Sequence, residues 1–163
     1  MTNNKLESAF NRLSGLKLCN DKETFVTWIK RKATSLYKRD WKRAKKIENS
    51  QWTYTQTNYL EAICEAILRC GDCSIDSYTG ERLNWSLIGQ YDNEKAKKNG
   101  NDYKRLFDLM PSIDHINAEP KPEFAICSWK TNDIKSNLTL EELKIWCDVF
   151  LRYQRRLTIK ALR

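Results

Sequence analysis

Pro-Ser-Ile-Asp-His-Ile (111–116) and Phe-Ala-Ile-Cys-Ser-Trp-Lys-Thr-Asn-Asp-Ile-Lys (124–135) decide how this chain is read. The first stretch is short, apolar and β-branched at its centre, and it reads as a strand. Residues 117–122 hold two prolines and form a turn. Residues 124–129 read as a second apolar strand, and from Thr131 the pattern turns helical. Strand, turn, strand and helix of this size bring Asp114, His115 and Asn132 to one edge of a small two-stranded unit.

The flanking segments read as helices. Over residues 21–48, Phe25, Trp28, Ile29, Leu36, Tyr37, Trp41, Ala44 and Ile47 recur at spacings of three and four, with Asn20 or Asp21 as N-cap. A second helix spans 56–69 with Tyr59, Leu60, Ile63, Cys64, Ile67 and Leu68 on one face, and Gly71 stops it. Residues 70–85 read as a knuckle, a turn around Gly80 and a short strand. Residues 89–102 are polar and lysine-rich, a loop or a short exposed helix. Beyond Thr131 the helical stripe runs through Ile134, Leu138, Leu140, Leu143, Ile145, Trp146, Val149, Phe150 and Tyr153, with a capping box at Thr139 and Glu142 where the helix restarts. The expected fold is α+β and mostly helical: a basic helical region over 1–69 and the hairpin–helix region with its C-terminal helix over 70–163, joined in one unit.

The charge is concentrated. The 163 residues carry 29 basic and 21 acidic side chains, a net +8. Residues 30–46 hold nine basic residues and one acid, Asp40. The last twelve residues add Arg152, Arg155, Arg156, Lys160 and Arg163 with no acid. What remains has fifteen basic and twenty acidic residues, so an acidic body carries two basic arms. A field of this kind attracts polyanions. The apolar stripe of the first arm reads as core-facing, which favours nucleic acid over a membrane surface. Lys38, Arg39, Lys42 and Arg43 are the expected contacts to a substrate backbone, whose phosphates give salt-dependent affinity without sequence preference. Trp52, with Tyr54 nearby, is the tryptophan to check as a base-stacking platform.

No window holds the roughly 18 apolar residues of a membrane span, and no signal peptide opens the chain. Six cysteines in a chain with this much apolar residue read as reduced thiols rather than as a disulfide scaffold. The expected setting is cytoplasmic.

The chain has one histidine. An Asp carboxylate and an Asn amide oxygen are hard donors suited to Mg²⁺ or Mn²⁺, one ion per site. A neutral imidazole beside them can take a proton from an attacking water. Lys135, one turn after Asn132, can hold a flanking phosphate. Together these parts would hydrolyse a phosphodiester.

Residues 111–116 followed by 126–143 resemble the ββα-metal motif of the HNH (His-Me finger) endonucleases, above all their phage and bacterial restriction-type branch. Residues 70–83, with Tyr78-Thr79-Gly80-Glu81, resemble the knuckle and turn that often precede that motif. The resemblance implies His115 as general base, Asp114 and Asn132 as metal ligands, and Lys135 near the backbone of double-stranded DNA, with RNA left open. One such motif cuts one strand, so a double-strand break would take a homodimer. Two positions depart from the pattern. The family's central Asn falls near Glu123, so Glu123 or a backbone carbonyl is expected to orient the histidine. A four-cysteine zinc site is incomplete: Cys70, Cys73 and Cys127 are present, Lys130 stands at the partner position, and Cys147 completes the set only if the fold returns it. A zinc-free knuckle packed as core is the expectation. A DNA-cutting enzyme is therefore the leading reading. The alternatives are a non-cutting nucleic-acid binder on the same scaffold, and a phage-encoded interaction or inhibitor protein.

Overall fold

The computed structural model describes residues 2–47 and 51–161, with side chains from residue 3 to 158 within them. Helix α1 (Thr2–Gly15), α2 (Lys22–Ala44) and α3 (Gln56–Arg69) come first. The Asp21 carboxylate caps α2, accepting from the backbone N–H groups of Glu23 and Thr24. Thr55 and Asn58 form a reciprocal capping box on α3. Phe25, Trp28, Ile29, Ala33 and Leu36 of α2 are buried against Tyr59, Ile63 and Ile67 of α3. Helix α1 completes this layer with Leu6, Ala9 and Leu13.

Strands β1 (Pro111–His115) and β2 (Phe124–Ser128) pair antiparallel, with Ser112 opposite Cys127, Ile113 opposite Ile126, and His115 opposite Phe124. Helix α5 (Trp129–Lys135) follows at once, N-capped by the Ser128 hydroxyl, which accepts from the Thr131 N–H. Successive strand residues point to opposite faces, and both faces here are used. Ile113, Phe124 and Ile126 meet the α3 side, where the Tyr59 and Phe124 rings lie 5.7 Å apart. Ser112 and Asp114 face α5. The hairpin is thus held between α3 and α5, and its core is shared with α1–α3.

The expected α+β, mostly helical architecture is what the chain adopts. Several elements differ in detail. Residues 93–105 are a helix, α4 (Asn93–Arg105), kinked at Gly100. The short strand expected before Trp85 is only an isolated bridge between Ile75 and Arg82. It closes a turn in which Gly80 takes φ +73°, a conformation that favours glycine. Trp41 and Ile47, expected on the buried stripe of α2, are exposed. The helix ends at Ala44, and Lys45 instead sets its ammonium over the Trp41 ring. Glu48 and Arg163 lie outside the described residues.

The restart at Thr139 is present, with Thr139 N–H donating to the Glu142 carboxylate and Glu142 N–H to the Thr139 hydroxyl. The helix that follows, α6 (Leu140–Ala161), does not bury the stripe read from its sequence: Trp146, Val149 and Tyr153 are each more than half exposed. Among the described residues no helix is long and apolar enough to cross a membrane.

Phe124 is the hinge of this packing, since its ring touches both Tyr59 and His115. Phe124→Ala should cost about 3–5 kcal/mol of stability, the usual range for emptying a buried aromatic site. Urea unfolding with the wild type alongside measures it.

Candidate functional site

His115 ends β1 and is 5% exposed. Its Nε2 lies 2.6 Å from Oδ2 of Asp40, and its Nδ1 lies 2.9 Å from the Arg39 guanidinium. An arginine can only donate, so Nδ1 is the accepting nitrogen and Nε2–H donates to the carboxylate. Those two bonds define a neutral imidazole in one tautomer. The Phe124 ring, 4.9 Å away and tilted at 70°, closes its other side.

Asp40 is fully buried on α2. Its Oδ2 also accepts from the Tyr59 hydroxyl at 2.8 Å, and the Arg39 Nε sits 3.6 Å from Oδ1. Burial pushes the Asp40 carboxyl up. The hydrogen bonds from His115 and the Tyr59 hydroxyl, with the Arg39 charge, outweigh that and hold it below its ordinary value. The same burial, with the carboxylate beside it, pushes the Tyr59 phenol far up and keeps it a donor.

Asp40 therefore holds the ring in the place where the sequence offered Glu123 or a backbone carbonyl. Glu123 is exposed, and its backbone carbonyl accepts from the Ile116 N–H. The signal was present: Asp40 is the one acid in the basic run, and it falls on the Leu36–Asp40–Ala44 side of the helix that the core claims.

Asp114, one residue before His115, turns to the opposite face of the strand. Its Oδ2 receives the Lys135 ammonium at 2.8 Å and the Tyr78 hydroxyl at 2.9 Å. Lys135 is 1% exposed and also donates to the His115 carbonyl at 3.0 Å, so it ties both residues to α5. Tyr78 is set in place by Asp76, whose buried carboxylate accepts from the backbone N–H groups of Tyr78, Thr79 and Ser128. Burial and the Asp114 charge push the Tyr78 phenol far up. Asn132 donates its amide to the Ser112 hydroxyl at 2.8 Å. The Lys32 ammonium approaches the same hydroxyl at 3.3 Å. Burial, with Arg31 beside it, brings Lys32 down to about 8.

The hairpin thus gathers Asp114, His115, Asn132 and Lys135, but splits them by the strand's alternation. Asp114, Asn132 and Lys135 lie on the α5 face, and the His115 ring lies against α2. Asp114 and Asn132 offer hard oxygen donors, one carboxylate and one amide, with the carboxylate already shared with an ammonium. Among the described residues no three His, Cys, Asp or Glu side chains gather around a point that could hold a metal ion. A donor pair of this kind suits Mg²⁺ or Mn²⁺ only in the manner usual for Mg²⁺, with waters and substrate phosphates completing the shell.

The three candidate zinc cysteines differ in their packing. Cys73 is fully buried and lies against the Ile67 carbonyl at 3.3 Å. A hydrogen bond from Cys70, with Arg12 nearby, draws the Cys73 thiol down to about 6. Cys127 is buried on β2, where desolvation and the charges of Asp114 and Asp76 push its thiol up. Cys147 is half-buried on α6.

Of the four basic residues expected on a substrate backbone, Lys38 and Lys42 are exposed. Arg39 rests on His115, and Arg43 donates to the Ala118 carbonyl at 2.7 Å. The order Lys32–Ser112, Arg39–His115, Arg43–Ala118 shows α2 running alongside β1 in the same direction. Trp52 is half-buried against Tyr37, Tyr54 and Tyr59, so it is a packing residue and no open stacking platform.

What the fold and site define is a mostly helical α+β domain carrying a hairpin–helix unit, with a carboxylate-held histidine under a basic helix. The chain matches no protein-family model, no curated protein and no solved structure.

Asp40→Asn should lower stability at neutral pH by about 1–3 kcal/mol, because His115 and Tyr59 then face a weaker acceptor. The wild-type carboxyl titrates lower when folded than when unfolded. Its contribution is therefore full above about 3.9 and is lost as pH falls through the lower folded value. Urea unfolding from about pH 2 to about pH 6 should show a steeper acid loss in the wild type than in Asp40→Asn.

Proposed function

We propose that this chain is a nucleic-acid endonuclease of HNH type that hydrolyses phosphodiester bonds, with His115 as general base. The observation that carries the reading is the Asp40–His115–Arg39 arrangement: a neutral imidazole whose basic nitrogen points at a phosphate-binding guanidinium.

In the free protein Arg39 covers Nδ1. Its side chain is 52% exposed, so it can leave. A phosphodiester is the better partner for a guanidinium, because the bond is charge-assisted and can be bidentate. As Arg39 turns to the phosphate, Nδ1 is released to take a proton from the attacking water. Asp40 holds the ring and stabilises the imidazolium that forms, while Tyr59 holds Asp40. Lys135 fixes the end of β1 through the His115 carbonyl. Lys38, Lys42 and Arg43 grip the flanking backbone. Asp114 and Asn132 are the residues that would hold a Mg²⁺ or Mn²⁺ ion, whose chemistry is charge stabilisation. They lie on the α5 face with Asp114 paired to buried Lys135, so the role of His115 on the opposite face does not depend on that ion. Double-stranded DNA is the proposed substrate, in a reducing, cytoplasmic setting.

A second reading has one observation in its favour. The Asp114 oxygen is occupied by Lys135, which leaves the α5 face paired in the resting state. A non-cutting nucleic-acid binder would look the same.

Supercoiled plasmid, linear duplex and single-stranded RNA incubated with Mg²⁺ or Mn²⁺ separate the two. Wild type should nick or cut one of them, and His115→Ala should lose at least about 100-fold in rate while still binding, the low end of what a general base contributes. Binding by the wild type with no cleavage in either metal selects the second reading. Separately, Lys38→Gln with Lys42→Gln should weaken duplex binding and flatten the slope of log K against log salt by about 2, roughly 0.9 per lost phosphate contact. Fluorescence anisotropy across a salt series measures it.

A further inference from the structure

Helix α6 spans 22 residues, about 33 Å, beyond the packed hairpin. A helix normally buries its apolar stripe, yet this one presents Trp146 at 57%, Phe150 at 47%, Tyr153 at 58% and Leu157 at 41% exposure. With half-buried Leu143, these residues follow spacings of 3, 4, 3 and 4. That alternation averages 3.5 residues and is the repeat of a helix paired along one straight seam. Trp146 and Phe150 are stacked at 5.5 Å and form the centre of the stripe.

The charge along α6 is divided end to end. Its first half carries Glu141, Glu142 and Asp148 against Lys144. Its second half carries Arg152, Arg155, Arg156 and Lys160 and no acid. Two copies laid parallel would set basic end on basic end. Laid antiparallel, each acidic half meets a basic half, and Glu142 and Arg156, which share one flanking position of the seven-residue repeat, fall on facing sides. Such a pair is closed by a two-fold axis, with the same patch on both partners.

We propose that α6 is a self-association helix whose occupant is α6 of a second copy of this chain, packed antiparallel across Trp146 and Phe150. The inference stands on the spacing and the charge division of α6, and is independent of any cleavage activity.

Sedimentation velocity and light scattering on the full chain, over a concentration series, test it. The wild type should be a dimer. Trp146→Glu with Phe150→Glu should give a monomer that still unfolds cooperatively in urea, because both side chains lie on the exposed face. Arg155→Glu with Arg156→Glu should weaken the dimer by about tenfold or more, equal to about 1.4 kcal/mol. Adding Glu141→Lys and Glu142→Lys to that variant should restore it, since the complementary halves are then exchanged. A wild type that stays monomeric overturns the proposal. So does a monomer that instead binds anionic phosphatidylserine vesicles through Trp146 and Phe150, which would make α6 a membrane-surface helix. A dimer indifferent to the Trp146 and Phe150 changes overturns it too, and one indifferent to the charge exchange overturns the antiparallel arrangement.

Discussion

A carboxylate with no solvent exposure has to be paired, and the Asp40–His115 bond is where this chain meets that requirement. Leaving such a group alone in the interior costs several kcal/mol. Its partners come from three elements: His115 from the end of β1, Tyr59 from α3 and Arg39 from α2 itself. The bond therefore fixes the height of α2 against β1, and the neighbouring contacts at Ser112 and Ala118 fall into line with it. It also fixes the chemistry of the histidine. With Nε2–H committed to a buried acceptor, the lone pair of Nδ1 is left facing the basic surface.

The hairpin and the helix after it were legible because local signals agreed: two apolar runs, a proline-broken turn and a helical period from Thr131, two residues later than the helix begins. Helix α3 was readable to the residue for the same reason. Asp40 was not read as part of the site because its partner lies 75 positions away, a separation that no local pattern carries. What could be seen was an acid on an apolar stripe, and that is a useful sign: a charge on a core-facing position must have a partner elsewhere in the fold. The choice of Glu123 failed for a related reason, since it relied on proximity in sequence to β2 while the ring of His115 points to α2. Trp41 lies outside the core and the α6 stripe is uncovered: periodicity records amphipathicity and does not say what covers the apolar side.

Alternation along β1 also divides labour at the site. Asp114 and His115 are adjacent in sequence, yet one meets Lys135 and Tyr78 while the other meets Asp40 and Arg39. The α5 face is in effect a neutral ion pair sealed under a tyrosine. The α2 face carries the excess positive charge. The strongly basic segment thus lies against the histidine itself, rather than forming a separate grip at a distance. In the proposed reaction that proximity makes substrate binding and release of the base one event, because the guanidinium that recognises phosphate is the group that covers Nδ1.

Because the chain has a single histidine, a long-range ¹H–¹⁵N correlation spectrum of its imidazole reads the central bond without assignment. At neutral pH the spectrum should show one neutral form, protonated at Nε2 and bare at Nδ1, and Asp40→Asn should turn it into a mixture of tautomers. A wild-type ring protonated at Nδ1, or one already averaging between the two forms, would contradict the account.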